Sequence, residues 1–222
     1  MRVWIVALSL GLGLGLAACV SAQGAATTPS PFARQPPAQT TAPQNYPVAI
    51  DVPTGTYRMD PRHTTVLFRI RHEGISWFTG RFDTKDATLE LNASDPSQSH
   101  LTASMSAVNT GVLNAQGERG FDRAIDAALG GQPITFVSTA VERTGQFTGR
   151  VTGDLTMNGQ THPAVLNVTF GGGHTDIVRA GAVAIGFSAQ GVIDRSQWGV
   201  NQWGAFAGNE VQIVIEAELT HS

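Results

Sequence analysis

From Gly55 onward, apolar and polar residues alternate with a period of two, in short runs parted by turn residues. Successive side chains of a strand point to opposite faces, so this alternation marks strands with one buried face. Between Thr64 and His72, Val66, Phe68 and Ile70 share one face, and Leu67, Arg69 and Arg71 the other. Leu101, Ala103, Met105 and Ala107 repeat the pattern; so do Leu166, Val168 and Phe170, then Val183, Ile185, Phe187 and Ala189, then Val211, Ile213 and Ile215. About eight strands are expected, at roughly 54–60, 64–73, 77–91, 99–108, 133–142, 146–157, 161–170, 180–194 and 209–220, the first serving as a strand or only as a cap. Regular spacing of this kind argues for a sandwich or a closed barrel.

Three departures from plain alternation add detail. Arg150–Met157 and Gln160–Phe170 flank Asn158-Gly159, the pair that tolerates positive φ at both centres of a type I′ turn, so a tight hairpin is expected. Phe82 has the opposite parity to Leu89 and Leu91, which predicts a bulge or break near Asp83–Ala87. In Glu118–Leu129, Phe121, Ile125 and Leu129 recur every four positions, with Gly130-Gly131 as a stop, the pattern of one short helix. The run Gly171-Gly172-Gly173 precedes no helix and is assigned to a flexible loop, with His174-Thr175-Asp176 solvated beside it.

The first fifty residues have another texture. Residues 3–16 form an apolar, glycine-interrupted stretch behind Arg2, shaped like a secretory signal and short for a membrane span. It ends in Leu16-Ala17-Ala18-Cys19, which resembles the bacterial lipoprotein cleavage box. The chain is thus divided into a signal at 1–18, an acylated Cys19 opening a disordered tether at 19–53, and a folded domain at 54–222. An ordinary signal cut near Ala22 or Ala25 is the alternative. Seven of the eleven prolines lie between Pro29 and Pro53, in a stretch too polar to fold, so the tether is either a semi-extended spacer or a plain leader. Val20 after the cysteine matches the lipoprotein pattern for sorting to the outer membrane, which places the domain in the periplasm.

Composition then removes whole classes of function. Charged residues make up 14% of the 222, the formal charge is −3, and Lys85 is the only lysine; no basic cluster exists to neutralise phosphates, so nucleic acid is excluded as a partner. No Gly-x-Ser-x-Gly elbow or Walker loop is present, and the acid pairs Asp83/Asp86 and Glu216/Glu218 read as solvated faces. No catalytic residues, no cofactor and no metal site are assigned. The six histidines lack metal-ligand spacing; His63 and His72, which bracket a strand, are either near a ligand at a barrel mouth or bonded to turn backbone. Trp77, Trp198 and Trp203 suit plugging of barrel ends, with ligand contact as the alternative.

Five ordered blocks carry a family resemblance. Tyr57-x-x-Asp60-x-x-His63 and Phe68-x-Ile70-x-His72-x-Gly74-x-Ser76-Trp77-x-x-Gly80-x-Phe82 resemble the opening of the YceI-like, polyisoprenoid-binding proteins. Thr135-Phe136-x-Ser138-Thr139, the Val151–Pro163 hairpin and Asp194-Arg195-Ser196-x-Trp198-Gly199 are similar to later segments of that family. The chain departs from it at Phe121–Ile125 and Gln132-Pro133, where relatives tend to carry an acidic-x-His-Leu pattern and a Tyr-Pro pair; this bears on ligand choice. The resemblance implies an all-β fold, an extended lipocalin-like antiparallel β-barrel with one short helix, that binds and sequesters or carries a long polyisoprenoid or isoprenoid quinone and is not an enzyme.

On that reading Phe68, Ile70, Phe136, Leu155, Leu166, Val168, Phe187 and Ile213 line the lumen, and Arg62, His63 and Arg195 meet a polar head group. Phe68, Phe136 and Phe187 would fill space; Ala103, Gly153 and Ala189 would leave it. About eight strands enclose either a filled interior or one just wide enough for a small ligand. A filled barrel serving as an envelope structural or stress-related interaction module is therefore the second reading, and a hydrolase the third. The anchor has its own test: processing is expected to be globomycin-sensitive and acylation to vanish in Cys19→Ser, and normal processing of that variant would overturn the lipoprotein assignment.

Overall fold

Backbone hydrogen bonds follow the alternation read from the sequence. The computed structural model describes residues 51–176 and 181–222; the signal, Cys19 and the tether as far as Ile50 lie outside the described residues. The elements are β1 Gly55–Met59, β2 Thr65–His72, β3 Ser76–Leu91, β4 His100–Asn109, α1 Gly120–Ala128, β5 Ile134–Arg143, β6 Thr148–Met157, β7 Gln160–Asp176, β8 Ala182–Asp194 and β9 Ala207–His221, with 3-10 turns at Pro96–Gln98 and Arg195–Trp198. Val52, which the sequence pattern leaves in the tether, is buried against Tyr57, Ile185 and Leu219. The Tyr57 hydroxyl donates to the Pro53 carbonyl at 2.7 Å, so the folded part takes in these residues too.

The sheet closes on itself. Each strand from β3 to β9 pairs antiparallel with the next, and β1 and β2 share the lane between β9 and β3. Tyr57–Met59 pair with Leu219–His221, and Thr65–Ile70 with Val211–Glu216; on the other side Gly55–Arg58 pair with Thr88–Leu91, and Leu67–His72 with Ser76–Arg81. The barrel thus has eight staves, the first broken at residues 60–64, which reconciles an expected count of about eight with nine strands. Closure leaves no strand at an outer edge of the sheet, although β4 and β5 pair only over Thr102–Met105 and Ile134–Val137.

A polar suture holds the break. The Asp60 N–H donates to the Glu218 carbonyl at 2.8 Å, and the Thr64 hydroxyl lies 3.4 Å from that carbonyl and 3.3 Å from the Glu218 N–H. The Asp60 carboxylate accepts from the Arg62 N–H at 3.0 Å and meets His63 Nδ1 at 2.5 Å. Asp60 and Thr64 are buried, so these bonds satisfy groups that water cannot reach.

The expected break in β3 is present. Phe82 and its partner Val108 are buried, whereas further along Lys85, Ala87 and Leu89 face inward beside Met105, Ala103 and Leu101. Both strands change faces together opposite Ala107, which stands at φ +58, and the register is the same on either side. The Asn158-Gly159 turn has φ of +51 and +68, and its hairpin runs without a slip from Met157/Gln160 to Thr148/Thr169. It also ties elements together: the Asn158 N–H donates to the Leu129 carbonyl at 3.0 Å and its side-chain amide to the Trp198 carbonyl at 2.9 Å.

The glycine run is not a loop. β7 continues through Gly171–Gly173 to Asp176, with a register shift between Phe170 and Gly172, which sits at φ +100. Glycine is needed because Val52 packs there: a Cβ on Gly173 would lie 2.7 Å from Val52 Cγ1. Helix α1 falls where the four-residue period places it. Its Asp126 accepts the Val108 N–H at 2.9 Å, and the Gly131 N–H donates back to the Asp126 carbonyl at 2.9 Å.

The interior packs as two clusters. One, built on Phe82, Val108, Phe136, Leu155, Met157 and Trp198, lies toward α1; the other, built on Val52, Tyr57, Ile185 and Leu219, lies toward the opposite end. Trp198 is fully buried and its indole N–H donates to the Leu155 carbonyl at 2.9 Å, so its role is structural packing of the core beside the β6–β7 turn, outside the lumen lining. Trp198→Ala is expected to cost about 3–5 kcal/mol, read as a drop in the urea midpoint at unchanged slope.

Candidate functional site

Inward-facing side chains of the staves enclose a cavity of about 920 Å³, toward the upper end of the roughly 300–1,000 Å³ common for small-molecule sites. Its walls are almost wholly apolar and run the length of the barrel, from Phe78, Phe121 and Trp203 at the α1 end to Leu89, Leu91 and Phe170 at the other. β3 alone is 16 residues long, roughly 50 Å at about 3.3 Å per residue. Tilted by about 35–45° to the barrel axis, such a strand spans roughly 35–40 Å along it, so the lumen is elongated, the shape that suits a chain.

All eight residues expected on the inner faces, Phe68, Ile70, Phe136, Leu155, Leu166, Val168, Phe187 and Ile213, line this cavity. Two glycines explain why their rings do not block it. A Cβ on Gly80 would lie 2.3 Å from Phe68 Cζ, and one on Gly153 would lie 2.4 Å from Phe136 Cζ, so each ring lies flat against the wall over a neighbouring glycine. Gly153 does not leave open space, as its size had implied; Phe136 occupies it. Ala87, Ala103, Ala189 and Ala217 do leave room.

The head-group candidates fare differently. Arg195 is buried, but its guanidinium donates to the carbonyls of Gly208, Val200, Gln202 and Ala207 at 2.7–3.0 Å. Burial pushes its pKa below the usual guanidinium value, with Asp194 partly opposing, and its role is to hold the loop before β9. Arg62 and His63 are not among the lining residues; their side chains are 78% and 55% exposed and belong to the suture. His63 meets a carboxylate there, not turn backbone. Asp60, His63 and Glu218 do bring three metal-capable atoms within 4.8 Å of one another, a grouping that sequence spacing could not reveal because Glu218 comes from β9. The direct Asp60–His63 hydrogen bond already accounts for this cluster as part of the closure.

Besides Arg195, which borders the lumen but is spent on loop carbonyls, and Arg143, bonded to the Gly145 and Gln146 carbonyls, the cationic residues along the lumen are Arg71, near the α1 end with its guanidinium over the Trp77 ring, and Lys85, where β3 changes faces. Sequence reasoning passed over both, although Lys85 stands out as the chain's single lysine. It also left out Val112, Ile125, Leu129 and Phe206, which complete the wall from the α1 side with Trp203, for which ligand contact was the alternative reading. The apolar stripe of α1 was legible, but not the stave ends it covers.

Helix α1 is held against the lumen by an ionic clamp. Arg119 donates through Nε to Asp122 at 2.5 Å, through Nη1 to Asp83 at 3.1 Å and through Nη2 to the Val108 carbonyl at 2.8 Å. Asp122 also accepts from the Thr110 N–H and hydroxyl. Burial alone would raise the Asp122 pKa, but the hydrogen bonds from Thr110 and Arg119 outweigh it and hold the pKa below the usual value.

With this geometry in view, sequence and structure comparisons can be placed beside it. A family model described as the YceI-like domain matches residues 57–219. The chain belongs to the YceI-like family. A UPF0312 protein of Pseudomonas syringae pv. tomato is 31% identical over 140 residues, 63% of this chain and 72% of the relative. Protein YceI of Escherichia coli O157:H7 is 29% identical over 165 residues, 73% and 85% of the two chains. Among solved structures, Burkholderia cenocepacia BcnA aligns with a TM-score of 0.61 at 18% identity, covering 72% of this chain and 98% of its own. The Campylobacter jejuni YCEI protein aligns at 0.55 and 23% identity, covering 69% and 90%. A polyisoprenoid binding domain from Saccharophagus degradans aligns at 0.51 and 11% identity, covering 77% and 100%. These neighbours share the fold, and the barrel of this YceI-like domain is the extended, lipocalin-like one that the resemblance implied.

The clamp makes a pH prediction for the YceI-like barrel. Asp122 has a depressed native pKa, so its contribution to stability is full above the ordinary aspartate range and is lost as pH falls through the native value. Asp122→Asn is expected to destabilise the protein by about 1–3 kcal/mol at neutral pH, and the gap between variant and parent in urea denaturation should close on acidification below about pH 4.

Proposed function

We propose that this YceI-like protein binds a long-chain polyisoprenoid or isoprenoid-quinone lipid in its lumen, and sequesters or carries it at the periplasmic face of the envelope without transforming it. The observation that carries this reading is the elongated apolar lumen of about 920 Å³. Burial of an isoprenoid chain contributes roughly 25 cal/mol per Å² of apolar surface, less the cost of ordering the chain. The Saccharophagus degradans domain, a polyisoprenoid binder by description, is built on the same fold. A barrel serving only as an envelope structural module would be filled by its own side chains, and this interior is not. Lys85 replaces Arg62, His63 and Arg195 as the group placed to meet a polar head inside the lumen, since the Arg71 guanidinium is stacked on Trp77.

The same reading takes the protein to be held by an acylated Cys19 to the outer membrane, where the tether would let the barrel reach a lipid source. Multiple acyl chains on one cysteine anchor firmly, because each buried methylene contributes about 0.8 kcal/mol.

Native mass spectrometry of protein purified from its own envelope is expected to show an adduct of isoprenoid mass that solvent extraction removes. Recovery of an empty barrel that also takes up no added isoprenoid would sink the proposal. Ala189→Trp, which narrows the lumen between Val168 and Ile215, is expected to weaken uptake about tenfold or more at unchanged far-UV circular dichroism.

A further inference from the structure

Among the described residues, large apolar side chains that stand exposed gather at the α1 end of the barrel. Ile75, 80% exposed, tips the β2–β3 turn; Val112 and Leu113, the latter 57% exposed, lie in the β4–α1 loop; Phe121 is in the first turn of α1; Trp203 and Phe206 lie in the loop before β9. They form one patch. The Phe121 ring meets Phe78 and Trp203 at 5.8 and 5.9 Å between centroids, and the Glu73 N–H donates to the Phe206 carbonyl at 2.7 Å, joining the β2–β3 turn to the loop before β9. The loops that carry it are braced, by Arg195 on the carbonyls of Gln202 and Ala207 and by Arg119 on Asp122 and Asp83.

Two features say what this patch meets. Val112, Phe121, Trp203 and Phe206 are at once exposed and part of the lumen wall, so the patch rings a mouth of the cavity. Just behind it, on β2 and β3, the guanidinium groups of Arg69 and Arg71 lie 4.9 and 4.2 Å from the Trp77 ring, with no carboxylate in ion-pairing range among the described residues. Of the acids at this end, Asp83 and Asp122 are engaged by Arg119, Glu118 by Arg123 at 3.7 Å, Asp126 by the Val108 N–H and Asp194 by Ser196, while Glu73 and Glu210 make no ion pair among the described residues. Protruding apolar tips backed by an indole and two available cations are the composition of a membrane interface, where aromatic rings sit at head-group level and cations meet anionic lipid.

We propose that this rim docks into an anionic phospholipid bilayer, with Ile75, Leu113, Phe121, Trp203 and Phe206 entering the acyl boundary and Arg69, Arg71 and Trp77 at the head groups. The inference rests on the lipid-binding reading and deepens it: a chain-shaped ligand would pass between bilayer and lumen without crossing water.

The test uses the full chain carrying Cys19→Ser, so that no acyl anchor contributes, and vesicles of phosphatidylcholine with or without phosphatidylglycerol. Sedimentation is expected to show binding that rises with phosphatidylglycerol and falls with salt. Ile75→Asp/Leu113→Asp, at two positions outside the lumen wall, should weaken vesicle binding about tenfold or more, and uptake of isoprenoid from a vesicle-free dispersion should be unchanged. Arg69→Gln/Arg71→Gln should remove the phosphatidylglycerol dependence. Equal vesicle binding by parent and Ile75→Asp/Leu113→Asp would overturn the docking surface, as would a parent that ignores vesicles and self-associates through this rim. A parent that binds vesicles through the rim yet takes up no isoprenoid would instead overturn the lumen reading and leave the docking surface standing.

Discussion

The barrel depends on how its ring is closed. Eight staves can meet only if the first and the last pair along their length, and here the first is broken at residues 60–64. The break is sealed by buried Asp60 and Thr64 bonded to the Glu218 backbone, with His63 and Arg62 bonded to the Asp60 carboxylate. A buried backbone group left without a partner costs as much as a lost hydrogen bond. The suture is therefore what allows a stave to change register without opening an edge. It also explains why Asp60 and His63 appear in a family-like motif without facing the lumen: they act on closure, and the lumen exists because closure holds.

Given closure, the lumen's form follows from residue size at the inner positions. Phenylalanine at Phe68 and Phe136 could have spanned the interior, but Gly80 and Gly153 let the rings lie against the wall. Alanine at 87, 103, 189 and 217 keeps the middle wide. Beside the lumen Trp198 packs the core, its indole N–H bonded to the Leu155 carbonyl, and the Asn158-Gly159 turn ties it to the end of α1. The hairpin turn is thus more than a connection between two strands, because the Asn158 side chain fixes the elements that frame one end of the cavity.

Much of this was legible because a strand writes its facing into a period of two. The strands, the lumen side of Phe68 through Ile213, the helix and the change of face in β3 all follow from periodicity. What escaped has no period. Gly171–Gly173 read as a loop because glycine gives no facing signal, yet Val52 and the β8 backbone need the missing Cβ. Arg195 looked like a ligand contact because its four acceptors are loop carbonyls that no sequence pattern displays. The grouping of Asp60 and His63 with Glu218 joins residues about 155 positions apart, and the apolar rim is assembled from separate loops. Such convergence belongs to tertiary structure alone.

The size of the cavity decides what kind of feature it is. At about 24 cal/mol per Å³, a void of about 920 Å³ in an ordinary packed core would cost on the order of 22 kcal/mol, more than the roughly 5–15 kcal/mol that domains have to spare. The lumen is therefore not a flaw in a packed core. Its walls are held apart by the hydrogen-bonded ring, and apolar surface facing into it stays in contact with whatever occupies it. In water that surface is a standing cost; an apolar chain removes it. Stability and ligand occupancy are then linked through the same surface: any molecule that binds the folded barrel and not the unfolded chain raises its stability in proportion to the logarithm of its free concentration over the dissociation constant. A closed ring with wide apolar walls is most stable when filled from outside, and the groups that close the ring serve binding without touching the ligand.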